Sequence, residues 1–314
     1  MSPRKTSVVP ALAPAKLRSG ARRGGSTFRV LSYYFELEWD WRGVGDYVKH
    51  VLGHFEVPPD PNESRNPPTP GLPAHYRLTD EGRGAERLYC LRYADQMLLK
   101  SKVASDVLFH LFWHVNSETI RRTGDFLLIH AGAVRAPGGQ GVVLPGASGA
   151  GKTTLVGGLV SAGFDYLSDE AAAIDPVGRR LYPYPKALTV KRQLAELFPD
   201  VRVPAVRSGW VDGQVHLRPE DIRPDSLGSP CEVGVIITPR YVEGAQTEVV
   251  PMSRAESAVE LGRNALNLSL YGSRALPALA DVVRGARGYR LVSGDLNQAV
   301  AAVTRLVRSR TGKA

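Results

Sequence analysis

The stretch Gly146-Ala147-Ser148-Gly149-Ala150-Gly151-Lys152-Thr153, followed by Thr154, constrains this chain more than any other. It fits G-x-x-x-x-G-K-[ST] at every fixed position. The apolar run "GVVL" stands before it. "KTTLVGGLVSAG" follows, with Leu155, Val156, Leu159 and Val160 on one helical face. Gly163 is placed to end that helix in the left-handed conformation. A strand, a glycine loop and a helix in this order make a phosphate cradle. Glycines let backbone N–H groups converge where a Cβ would block them, and the helix N-terminus favours an anion. In such a loop Lys152 reaches the β- and γ-phosphates, and the Thr153 hydroxyl meets Mg²⁺. ATP and Mg²⁺ are therefore the expected ligands, and the sequence leaves ATP against GTP open.

A phosphate loop does not separate an ATPase from a kinase. The position of the nearest acids bears on that choice. Asp169 and Glu170 stand at the end of the next expected strand, seventeen residues after Lys152 in the case of Asp169. One carboxylate can hold Mg²⁺ while the other takes the proton of an attacking hydroxyl. The plainer alternative is a solvated pair in a turn. Asp175, before Pro176, reads as the start of a turn at Val177-Gly178. Lys186, Lys191 and Arg240 are candidate contacts to phosphate or substrate, against the plain reading of surface cations.

"IHAGAV", the loop, and then "SAGFDYLSDE" together resemble the C-terminal domain of bacterial HPr kinase/phosphorylase and its kinase-like relatives. The resemblance is sharp over residues 129–170 and looser beyond. It implies an α/β fold with a P-loop kinase core of the HPr kinase/phosphoenolpyruvate carboxykinase type, joined to a smaller α+β N-terminal domain. It also implies Asp169 as the acid/base residue, Glu170 as a magnesium ligand, and His130, sixteen residues before Gly146, beside the transferred phosphate. Two departures stand out. The second acid is glutamate where HPr kinase has aspartate, and the family's later Glu-x-Arg-Gly-x-Gly segment is absent. The resemblance thus points to a peptide, a protein or a small molecule as acceptor rather than to HPr. The rivals are a nucleotide switch or ATPase without an acceptor, a carboxykinase-like enzyme, and a binding protein on an inactive kinase core. The ABC-type Leu-Ser-Gly-Gly-Gln signature and the guanine-specifying Asn-Lys-x-Asp are both absent, which weakens the switch reading.

The rest of the chain supplies the frame. Of the formal charge of +9, six positive residues lie in 1–27 (Arg4, Lys5, Lys16, Arg18, Arg22 and Arg23), which leaves about +3 for the remainder. The high overall pI therefore gives no reason to expect nucleic acid on the folded part. Residues 1–27 read as a disordered basic tail; a signal peptide and contact with acidic lipid or nucleic acid are the other readings. No run approaches the roughly 20 apolar residues of a membrane span. Cys90 and Cys231 stand far apart without metal spacing, which suits inert thiols in a reduced cytoplasm. A homo-oligomer is left open.

Residues 28–124 read as an N-terminal α+β domain and 125–314 as the P-loop domain. In the first, "FRVLSYYFELEW" reads as strand and "GDYVKHVLGHF" as helix. Val57 to His75 reads as a proline-rich loop, and Ser105 to Gly124 as a helix capped at Ser105. His110 and His114 in that helix have metal-like spacing but no third ligand, so they read as part of a core helix with Phe109, Leu111, Phe112 and Trp113. In the second domain, Val233 to Thr238 reads as a buried strand stopped by Pro239, and "SRAESAVELGRNALNLSL" as one helix. His216 reads as structural or exposed.

Overall fold

The computed structural model describes residues 23–59, 74–191, 198, 201 and 214–308. It is a mixed α/β structure built around two main sheets.

The first sheet has the order β3-β1-β2-β4-β5-β6. Its strands are β1 Arg23–Val30, β2 Tyr33–Asp40, β3 Glu56–Val57, β4 His75–Glu81, β5 Leu88–Tyr93 and β6 Gln96–Ser101. All neighbours pair antiparallel except β2 and β4. Strand β2 alternates buried and outward residues, and the end of β1 buries Thr27, Phe28 and Val30. On the covered face Phe35 stacks on Phe28 and Tyr33 and meets Tyr76 edge-on. Two helices cover it: α1 Val44–Leu52 and α2 Ala104–Arg122. They bury Val48, Val51, Val107, Leu108 and Leu111 in the same core.

Several expectations need correction here. The stretch read as one strand from Phe28 is a hairpin, turned at Leu31 with φ 54°. Its first strand reaches back to Arg23, so residues 23–27 are sheet rather than tail. Arg23 meets Asp40 at 3.0 Å and Ser26 meets Glu56 at 2.7 Å, which supplies partners that composition does not reveal. Residues 1–22 lie outside the described residues. Helix α2 is not capped by Ser105. Its N-cap is Val103, whose N–H is taken by the Ser101 hydroxyl at 3.0 Å. Phe109 and Trp113 are not core: they are 63% and 54% exposed.

The second sheet follows the order β11-β10-β7-β8-β14-β16-β15, with β9 paired to β7. The strands are β7 Leu127–Arg135, β8 Gly141–Pro145, β9 Asp165–Ser168, β10 Ala171–Asp175, β11 Arg180–Tyr182, β14 Cys231–Tyr241, β15 Glu248–Met252 and β16 Arg287–Ser293. Strand β11 also pairs with β14, so this end of the sheet closes on itself. The small ribbon β12 Leu188–Lys191 with β13 Gln214–Leu217 lies apart. Helix α3, Lys152–Ser161, and α7, Leu296–Arg308, pack on one face. Helices α5, Arg254–Arg263, and α6, Ala275–Arg284, pack on the other. A short α4, Pro219–Ile222, follows β13.

Helix α3 is apolar nearly all round because it is covered on several sides. Gly157 and Gly158 permit this: a Cβ would stand 2.6 Å from the Phe198 ring at the first and 2.9 Å from Leu296 at the second. Strand β14 does not stop at Pro239. It pairs with β8 only as far as Ile236, so beyond that point β14 bonds to β16 alone and a residue without an N–H is tolerated. The helix read over 253–270 ends at Arg263, and β15 was not foreseen.

Candidate functional site

Strand β8 ends at Pro145, and the glycine loop carries the chain into α3. Gly149 and Gly151 have φ of 85° and 88°, a conformation in which side-chain-bearing residues are strained. The N–H groups of Gly149, Gly151, Lys152 and Thr153 find no backbone acceptor among the described residues. They gather at the N-terminus of α3, where unpaired donors and the helix dipole favour an anion. Thr153 and Thr154 stand half-buried on the first helical turn, while Ala147 and Ser148 are exposed.

Lys152 is only 6% exposed. Its ammonium donates to Gly146 O at 2.6 Å and Ala147 O at 2.9 Å, and lies 3.1 Å from His130 Nε2. A lysine can only donate, so Nε2 accepts and the His130 proton sits on Nδ1. That nitrogen faces Glu170 O at 3.2 Å. Burial, then the Lys152 charge, lowers the His130 pKa and keeps the ring neutral. Burial also lowers the pKa of Lys152, against the pull of Asp169 and Glu170. The loop lysine and His130 therefore form one cluster with the backbone of the acidic pair.

The acids sit in the tight connection from β9 to β10. The Ser168 hydroxyl accepts the N–H of Glu170 at 3.1 Å and of Ala171 at 3.0 Å, which fixes this turn. The two carboxylates then diverge. Asp169 is 8% exposed and takes the Tyr166 hydroxyl on Oδ1 at 3.0 Å. Burial raises its pKa to about 6, with Lys186 opposing and Glu170 assisting. Glu170 ion-pairs with Lys186 through Oε2. The Lys186 charge is the main reason its pKa is lowered. Burial works against the charge on Lys186, but Glu170 and Asp169 more than offset it and its pKa is raised.

The other anticipated residues divide. Lys186 belongs to the cluster. Lys191 and Arg240 are exposed at the ends of β12 and β14 and take no part in the cluster's hydrogen bonds. A Cβ at Gly151 would stand 3.4 Å from Tyr241 Cβ, so the end of β14 borders the loop. His114 Nδ1 lies 2.7 Å from the Tyr76 hydroxyl, and His110 rests beside the Trp113 ring. Among the described residues, no group of three or more His, Cys, Asp or Glu is placed to hold a metal. Cys90 and Cys231 are buried free thiols, and burial pushes Cys231 up to about 11. Asp175 takes the Val177 N–H at 2.9 Å, as a turn-starting residue does. His216 is structural: Tyr47 meets its Nδ1 at 2.9 Å and His50 meets its carbonyl at 2.8 Å.

Three residues of the cluster were missed. Tyr166 and Ser168 lie two apart in the strand "DYLS", where plain alternation would set them on one face, but a register shift places them opposite the neighbouring Val134 and Ala133 of β7. Asn116, on α2, donates to Glu170 Oε1 at 3.2 Å, and nothing in its local sequence signals this.

A scan against models of known protein families finds no match to this chain. A search of curated protein sequences finds no significant relative.

Proposed function

We propose that this chain is an ATP- and Mg²⁺-dependent kinase of the HPr kinase-like type, which transfers the γ-phosphate to a hydroxyl, a serine of a peptide or protein. One observation carries the reading: a buried, low-dielectric acid, Asp169, shares a cluster with the lysine and helix N-terminus of a phosphate loop. The loop suits a phosphate, because its glycines take left-handed angles and its N–H groups lack backbone partners. Thr153 and Glu170 offer oxygen donors of the kind Mg²⁺ prefers. Mg²⁺ held by these oxygens would neutralise charge on phosphate oxygens.

The chain's own residues supply the remaining roles. Lys152 leaves the carbonyls of Gly146 and Ala147 for phosphate oxygens. His130, neutral and with Nε2 as acceptor, guides that ammonium. Asp169, with a pKa near 6, is ionised at neutral pH yet basic enough to take a hydroxyl proton. Lys186 holds positive charge between the two acids and remains protonated.

The test is phosphoryl transfer. Purified protein with labelled ATP, Mg²⁺ and candidate serine peptides or small alcohols should give a phosphorylated product by mass spectrometry. Basal ATP hydrolysis should be slow and give way to transfer. Fast hydrolysis with no phosphorylated product from any acceptor would favour a nucleotide switch or ATPase instead.

A further inference from the structure

Glu170 is bound from two directions. Lys186 takes Oε2, and Asn116 donates its amide to Oε1 at 3.2 Å. Asn116 comes from α2, which packs on the first sheet, while Glu170 lies in the turn from β9 to β10 of the second. The Asn116 amide is itself oriented. Tyr184, buried, donates its hydroxyl to Asn116 Oδ1 at 2.7 Å. With the amide oxygen engaged there, only the NH₂ is left to face Glu170. Tyr184 is in turn anchored by its backbone N–H to Leu167 O at 2.8 Å, on the strand that leads into the acidic pair.

We propose that Asn116 is the positioning residue of the site: it holds Glu170 Oε1 in place, so that Oε2, beside Lys186, is presented in the set direction in which it would hold the divalent cation. This rests on the reading that Glu170 faces Mg²⁺-nucleotide. A carboxylate free at both oxygens rotates, whereas one fixed at a single oxygen presents the other in a set direction. The Lys186 ion pair compensates the acid at Oε2. Asn116 carries no charge, so it does not compete with the incoming ion. Partners of this kind, one step behind a metal ligand, tune affinity without touching the metal.

The experiment titrates Mg²⁺ into full-length protein at fixed, saturating ATP and follows melting temperature and binding heat. Asn116→Ala should shift the Mg²⁺ midpoint upward by about tenfold, with ATP binding in the absence of Mg²⁺ unchanged. Tyr184→Phe, which frees the amide to flip, should shift it the same way by less. The double variant should match Asn116→Ala alone, because Tyr184 acts through Asn116. If Asn116→Ala does not fold, judged by its ligand-free melting, Tyr184→Phe carries the same test. A wild-type midpoint in Asn116→Ala, or a double variant with summed effects, overturns the positioning role and leaves the kinase reading standing. A wild type that never responds to Mg²⁺ and ATP overturns that underlying reading, and this one with it.

Discussion

Lys152 Nζ lies 3.1 Å from His130 Nε2 while it also bonds the Gly146 and Ala147 carbonyls, so the loop lysine is folded back onto its own cradle. All three ammonium protons are used. On the proposed reading, a bound phosphate would exchange these partners for stronger, charge-assisted ones. The wild type should gain several degrees of melting temperature at saturating Mg²⁺-ATP, since 100-fold excess over Kd is worth about 2.7 kcal/mol. Lys152→Ala should lose most of that gain. An equal gain in the variant, measured by calorimetry or dye melting, would show that the loop is only a turn.

Asp169 gives two linked expectations. As a base it must be ionised, so transfer should rise with pH through about 6 and level off above. Its folded pKa lies above the ordinary 3.8, so folding favours the protonated acid. The stability this brings is complete below about 4 and lost as pH rises through about 6. Asp169→Asn, neutral throughout, should abolish transfer and keep ATP binding. Ligand-free, it should also be more stable than wild type at pH 8, by up to about 3 kcal/mol, with the gap closing towards pH 4. Full transfer activity in this variant would remove Asp169 from the chemistry.

The contact between the two halves carries its own pH dependence. Burial, and next the Lys186 charge, push the His216 pKa down to about 3. The unfolded chain binds a proton near 6.5 and the folded one does not, so the stability from neutral His216 is present above about 6.5. It is lost as pH falls towards 3. Denaturant unfolding should show this slope, and His216→Gln should flatten it. Tyr47→Phe leaves Nδ1 unpaired in a buried place and should cost about 1–3 kcal/mol.

Truncation distinguishes tail from sheet. Removing residues 1–27 deletes the start of β1, including the Arg23 and Ser26 contacts and the buried Thr27. It should lower the melting temperature well below that of a protein lacking only residues 1–22. Equal melting of the two truncations would show that these strand pairs add nothing.

Local patterns were the legible part. The strand–loop–helix around Lys152, the Gly163 cap with φ 95°, and the Asp175 turn all follow from short-range rules, and the structure has each of them. The resemblance set His130 beside a transferred phosphate and gave roles to the acidic pair; the contacts of His130 with Lys152 and with the Glu170 carbonyl come from the fold. Long-range partners were not legible. Residue 23 looks like tail until Asp40 appears opposite it. Pro239 looks like a strand end until β8 is seen to stop first. Asn116 is one polar residue among several on α2, and only the packing of α2 against the second half gives it a carboxylate to hold. The exposed Phe109 and Trp113 misled in the opposite sense, because apolar identity was taken for burial.

Helix α2 is shared property: its apolar side belongs to one core, and Asn116 to the other half's acidic pair. The halves are therefore not interchangeable parts. Someone grafting residues 125–308 onto a different partner domain would carry over the glycine loop, both acids and Lys186, and would leave behind the amide that steadies Glu170. Such a chimaera would keep its sequence motifs intact and still be an altered instrument.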